Sequence, residues 1–77
     1  MRNTIEAVIK ENMGLCFQDT EMVLDVICEN LWFQYGIDAK WRGRSIYVND
    51  KRIASIEVSK EGKDIVGIYR YKMIGGK

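Results

Sequence analysis

Residues 19–36 read DTEMVLDVICENLWFQYG and residues 37–59 read IDAKWRGRSIYVNDKRIASIEVS, and the change of period between the two stretches decides the fold. In the first, Val23, Ile27 and Leu31 recur along one line of a helix, and Leu24, Cys28, Leu31 and Tyr35 along its neighbour. Together they predict one broad buried face. Asp19 or Thr20 can cap the start of this helix, and Gly36 is suited to end it. In the second stretch the period falls to two. Asp38 to Arg42 alternates, Gly43 interrupts in the manner of a bulge or bend, and Ser45 to Asn49 alternates again. Asn49-Asp50 makes a credible tight turn because both residues tolerate positive φ. Arg52 to Ser59 then puts Ala54, Ile56 and Val58 on one face, so a hairpin is expected.

Working outward, Asn3-Thr4-Ile5-Glu6 has the form of a helix start, with a short polar capping residue and Ile5, Val8 and Ile9 following at helical spacing. Gly14 is the expected stop. A helix this short is marginal alone and must be held by packing. Beyond the hairpin, Lys60-Glu61-Gly62-Lys63 supplies the next turn, and Asp64 to Ile74 reads as a long final strand. Two apolar sets compete for its buried face: Ile65, Tyr69, Tyr71 and Met73 against Val66, Ile68 and Ile74. Burying Arg70 and Lys72 unpaired would be costly, which favours the tyrosines inside. The order of elements predicts an α+β domain over residues 1–77. Two N-terminal helices pack on one face of a three- to four-stranded antiparallel β-meander and leave the other face open.

Composition bounds the rest. A chain of 77 residues with 47% apolar residues can build one small core, and no apolar run approaches the roughly 18 residues of a membrane span. Glu6 falls where a secretory signal needs an uninterrupted apolar stretch, so export is not expected. Cys16 and Cys28 are too few and too irregularly spaced for a disulfide framework or a metal site, and both read as reduced, with Cys28 in the core. A cytoplasmic protein is expected.

Charge changes sign along the chain. Residues 1–35 carry two cations against six carboxylates, residues 36–77 ten against five. Such polarity points to a charged partner or to self-association. Glu21, Asp25 and Glu29 fall at i, i+4 and i+8 and form one acidic stripe on the second helix. Histidine is absent, the carboxylates of the stripe share one environment, and Gly43, Gly62 and Gly67 stand alone rather than in a phosphate-binding loop. Neither enzymatic activity nor a cofactor or metal is expected.

The constellation that invites a function is Lys40-Trp41-Arg42-Gly43-Arg44 with Tyr47, Lys51-Arg52 and Arg70-Tyr71-Lys72. Guanidinium groups pair bidentately with phosphate or carboxylate, and aromatic rings on a strand can stack on a base or receive a cation. Lys40, Trp41, Arg42, Arg44, Tyr47, Lys51, Arg52, Arg70 and Lys72 are therefore the candidate partner-binding residues. Trp32-Phe33 either closes off the core or adds an aromatic anchor. Three readings follow. In the first, a small non-catalytic protein, of the kind a phage or small regulatory gene encodes, docks on a protein or nucleoprotein partner as inhibitor or adaptor. In the second, the open sheet face binds single-stranded nucleic acid, with Trp41 and Tyr47 stacking. In the third, the acidic stripe of one copy meets the basic strands of another in a salt-sensitive homo-oligomer.

Tyr35-Gly36-Ile37, Lys40-Trp41, the run Ile46-Tyr47-Val48-Asn49-Asp50-Lys51-Arg52-Ile53-Ala54-Ser55-Ile56, and Gly67-Ile68 make residues 31–74 resemble the helix-plus-hairpin core of the biotin protein ligase and lipoate octanoyltransferase family. The resemblance implies the same local geometry. It does not extend to the chemistry: Arg52 stands where the family has its functional lysine, Arg42-Gly43-Arg44 where it has Pro-Asn-Asp, and no adenylate-binding motif precedes them. The closing Gly75-Gly76-Lys77 is similar to the diglycine tail of ubiquitin-like modifiers, but the leading helices depart from that fold, and the segment reads as a frayed end.

Overall fold

The computed structural model describes residues 1–74, so Gly75-Gly76-Lys77, read above as a frayed end, lies outside the described residues. Two helices, α1 (Arg2–Asn12) and α2 (Thr20–Tyr35), precede four strands, β1 (Ala39–Arg42), β2 (Ser45–Val48), β3 (Lys51–Gly62) and β4 (Ile65–Met73). The strands pair antiparallel in sequence order, β1-β2-β3-β4. Both helices lie on one side of this meander, as expected from the sequence.

The helix ends follow their local chemistry. At α2, the Asp19 carboxylate accepts a hydrogen bond from the Met22 amide at 2.8 Å, satisfying one of the amides that a helix start leaves unpaired. At its other end Gly36 takes φ +67°, its amide donates to the Trp32 carbonyl at 2.9 Å, and the Ile37 amide donates to Leu31 at 3.0 Å. Helix α1 departs from the expected start. It begins at Arg2, so the cap position falls on Met1 rather than on Asn3 or Thr4, and Met1 provides no side-chain cap. It also ends before Gly14: Met13 stays right-handed, the Leu15 amide donates to the Asn12 carbonyl at 3.2 Å, and the buried Asn12 side chain donates back to Val8 at 2.8 Å.

The core is a single layer between helices and sheet. Ile5, Val8 and Ile9 of α1 and Val23, Leu24, Ile27 and Leu31 of α2 are fully buried against Ile46, Ala54 and Ile56, with Val48 and Ile68 nearly so. Each of the buried valines, leucines and isoleucines contributes about 1.5–3 kcal/mol of burial. Tyr35, expected on the buried face of α2, is instead exposed, as are Trp32 and Phe33, because Leu31 and Ile37 already close that end of the core. Cys28 is half-buried rather than enclosed.

The turns explain where the strands end. Gly43 is neither bulge nor bend: Arg42 pairs with Ser45 across a two-residue turn in which Gly43 alone takes positive φ, which splits the expected first strand from the second. Asn49 and Asp50 both take positive φ, at 54° and 64°, as expected. The last turn comes later than expected, at Lys63-Asp64, since β3 runs on to Gly62 and Asp64 supplies the positive φ. Two bulges matter for the faces. Ile53 is an extra residue opposite β2, and Tyr69 an extra residue opposite Glu57 and Val58. The second bulge resolves the competition within β4. Ile68 before it and Tyr71 and Met73 after it all face the helices, while Tyr69 turns out. Among the described residues no helix is long and apolar enough to cross a membrane.

The difference between the two helix starts is measurable. Asp19→Ala should cost about 1 kcal/mol and lower the thermal midpoint by roughly 4–8 °C. Asn3→Ala removes no cap and should leave the midpoint unchanged or slightly raised; a loss equal to that of Asp19→Ala would contradict the assigned start.

Candidate functional site: the bare face of the sheet

With both helices on one side, the pleat decides which strand residues look the other way. Ala39, Trp41, Ile46, Val48, Ala54 and Ile56 point toward the helices. Lys40, Arg42, Tyr47, Arg52, Ser55, Glu57, Arg70 and Lys72 therefore share the uncovered face. The register sets them in rows across the strands: Lys40 beside Tyr47 beside Arg52, then Arg42 beside Ser45 beside Ser55 beside Lys72, then Glu57 beside Arg70. Adjacent strands lie about 4.8 Å apart, so each row is a short ladder of side chains.

Within the rows the side chains are tied together. The Arg42 guanidinium lies over the Tyr47 ring, 5.5 Å from its centroid, and Arg52 Nε donates to Ser45 Oγ at 2.9 Å. Arg70 pairs with Glu57 at 2.9 Å and sits 5.9 Å from the centroid of Tyr69, whose hydroxyl donates to Glu57 at 2.6 Å. The Arg70 and Tyr69 hydrogen bonds hold the Glu57 carboxyl below the ordinary range, with the charge of Arg44 in the adjoining turn adding to the effect. The bond to Glu57 in turn raises the Tyr69 hydroxyl. Arg70–Glu57 is the one ion pair among the described residues. Lys40, Arg42, Arg44, Arg52 and Lys72 thus remain without a carboxylate partner among those residues. Asp38 and Asp50 stand at the sheet end, bounding a polar hollow of about 620 Å³ beside Lys40, Arg42 and Tyr47.

Of the nine residues expected on this surface, six gather there, Arg44 stands in the adjoining turn, and two face elsewhere. Trp41 faces the helices, half-buried against the core, and its Nε1 donates to Asp25 at 2.7 Å. It borders the hollow beside Lys40, Arg42 and Tyr47 from the sheet edge and does not stand in the rows of the open face. Lys51 opposes Val48 and so belongs to the helix side, where it borders a hollow with Met1 and Arg2. Tyr69 and Glu57 were missed, Tyr69 because simple alternation puts it inside and only the bulge turns it out. The acidic stripe forms as expected: Glu21, Asp25 and Glu29 are exposed on α2, in the helix layer, with Asp25 reaching the β1 edge at Trp41.

Nearby chemistry follows from the same geometry. Burial, with Asp25 and Glu29 adding, pushes the Cys28 thiol up to about 11. At pH 8 only about one Cys28 in a thousand is then thiolate, the reactive form. Iodoacetamide at that pH should label the exposed Cys16 and leave Cys28 unmodified by mass spectrometry; preferential labelling of Cys28 would contradict the packing of α2. A second expectation concerns acid. Because the folded value of Glu57 is depressed, its contribution to stability is complete above the unfolded glutamate value of about 4.3 and is lost as pH falls through the folded one. Glu57→Gln should flatten the acid limb of the stability curve below about pH 4.3 and leave the neutral limb's shape intact.

Comparison with protein-family models, with curated proteins and with solved structures found no match for this chain.

Proposed function

We propose that this chain is a non-catalytic binding protein that docks on an acidic protein surface through the bare face of its sheet, acting as inhibitor or adaptor. The observation that carries this reading is the gathering of Lys40, Arg42, Arg44, Arg52, Arg70 and Lys72 around Tyr47 and Tyr69, with Glu57 as the carboxylate among them. Arginine and tyrosine are the residues that protein interfaces use as anchors, and a predominantly basic patch speeds and orients encounter with an acidic one.

The condition of the rings favours a protein over single-stranded nucleic acid. A nucleic-acid platform needs aromatic faces that bases can reach. Here Trp41 is turned to the core, Arg42 covers Tyr47, and Tyr69 is held between Arg70 and Glu57. Carboxylates need only the guanidinium edges, which remain accessible.

The test uses a fluorescent poly-L-glutamate of about twenty residues and an oligothymidylate of equal length at low salt, read by anisotropy. The wild-type chain should bind the polyglutamate, and Arg42→Glu, Arg44→Glu and Arg52→Glu together should weaken it by about tenfold or more with unchanged circular dichroism. Binding unaffected by the triple reversal would sink the reading. Much tighter binding of the oligothymidylate would replace it with the nucleic-acid one.

A further inference from the structure

Helix α2 carries a second unpartnered surface. Its outward side combines the exposed carboxylates of Glu21, Asp25 and Glu29 with Met22, Trp32 and Phe33, which are 39%, 54% and 79% exposed. At 100° per residue, Met22, Glu29 and Phe33 fall within one narrow sector, with Asp25 and Trp32 on its flank. An apolar ridge edged by carboxylates is an amphipathic acidic helix surface, and among the described residues its carboxylates take one side-chain hydrogen bond, from Trp41 to Asp25. The bare sheet on the other side of the molecule offers the complement: a concentration of cations around two tyrosines.

We infer that the occupant of the bare sheet includes α2 of a second copy of this chain, so that copies associate head to tail. The inference rests on the reading of the basic face given above and names a partner for it. Dimensions agree. Sixteen residues make α2 about 24 Å long, and its acidic stripe from Glu21 to Glu29 spans about 12 Å. Four strands make the sheet about 14 Å wide, so the stripe fits across the row from Arg42 to Lys72. Phe33 and Trp32, just beyond Glu29, would then lie at the β4 edge beside Tyr69, and the carboxylates would meet the free guanidinium and ammonium groups.

Two consequences distinguish this arrangement from an ordinary dimer. The two surfaces differ and lie on opposite sides, so the interface is heterologous and does not close on itself after one partner. A helix about 10 Å across laid over a sheet about 14 Å wide covers roughly 140 Å² in projection, well short of the roughly 800 Å² per partner of a standard stable interface. Association is therefore weak, charge-assisted and reversible, and it yields whenever a more acidic surface competes for the sheet.

The experiment is sedimentation velocity over a wide concentration range at about 20 mM and about 500 mM salt. At low salt the mean sedimentation coefficient should rise steadily with concentration without a plateau at the dimer, and at high salt it should return to the monomer. Glu21→Lys with Glu29→Lys spoils the helix surface and spares Asp25, which holds Trp41; Arg42→Glu with Arg52→Glu spoils the sheet. Each variant alone should be monomeric, and an equimolar mixture should give a one-to-one dimer and nothing larger, because each partner keeps the surface the other lost. Circular dichroism of each variant confirms that it is folded. A wild-type chain that stays monomeric at low salt while still binding polyglutamate overturns the head-to-tail inference alone. Failure to bind polyglutamate as well overturns the docking face itself. A plateau at the dimer, or a mixture of the two variants that stays monomeric while the wild-type chain assembles, also overturns the inference.

Discussion

Burial on only one side of a four-stranded sheet is the constraint from which the rest follows. Seven fully buried aliphatic side chains of α1 and α2 meet Ile46, Ala54 and Ile56 across a single interface, and this is the only place in the described residues where a core of that size exists. A pleated strand that sends Ile46 and Val48 inward must send Tyr47 outward, and the same rule sends Lys40, Arg42, Arg52 and Lys72 out with it. The charged face is thus a by-product of the core: the residues that stabilise the fold dictate which cations stand together.

Separation of the two signs is what makes that face usable. An acidic helix beside the cations would neutralise them or repel an anionic partner. Here the helix layer and the bare face lie on opposite faces of the sheet, so the strands stand between the acidic stripe and the cations. Each side therefore presents its own field. Trp41 belongs to this division as well, since its indole reaches across from β1 to Asp25 and fastens the sheet edge to the acidic helix, leaving the cations to the other side.

Most of this was legible in the chain because the signals were local. Asp19 and Gly36 mark the ends of α2 through backbone chemistry that acts over a few residues, and Asn49-Asp50 marks a turn in the same way. The failures share a different cause. Gly43 looks alike whether it bends one strand or joins two, and only pairing of Arg42 with Ser45 decides. Tyr69 and Ile53 sit at bulges, which shift the parity of a strand relative to its partner and leave no trace in the alternation itself. By its type a strand tryptophan such as Trp41 is more often core than platform, but the presence of Asp25 at hydrogen-bonding distance is a tertiary fact. The exposure of Trp32 and Phe33 likewise depends on where the core ends, which Leu31 and Ile37 determine together.

The most direct measurement is the near-surface potential, residue by residue, from nuclear magnetic resonance with paramagnetic cosolutes of opposite charge. An anionic cosolute should selectively relax the protons of Lys40, Arg42, Tyr47, Ser55 and Lys72, and a cationic one those of Glu21, Asp25 and Glu29. Equal relaxation of both sets by both cosolutes, or cations of the strands responding singly on different sides of the molecule, would contradict the account.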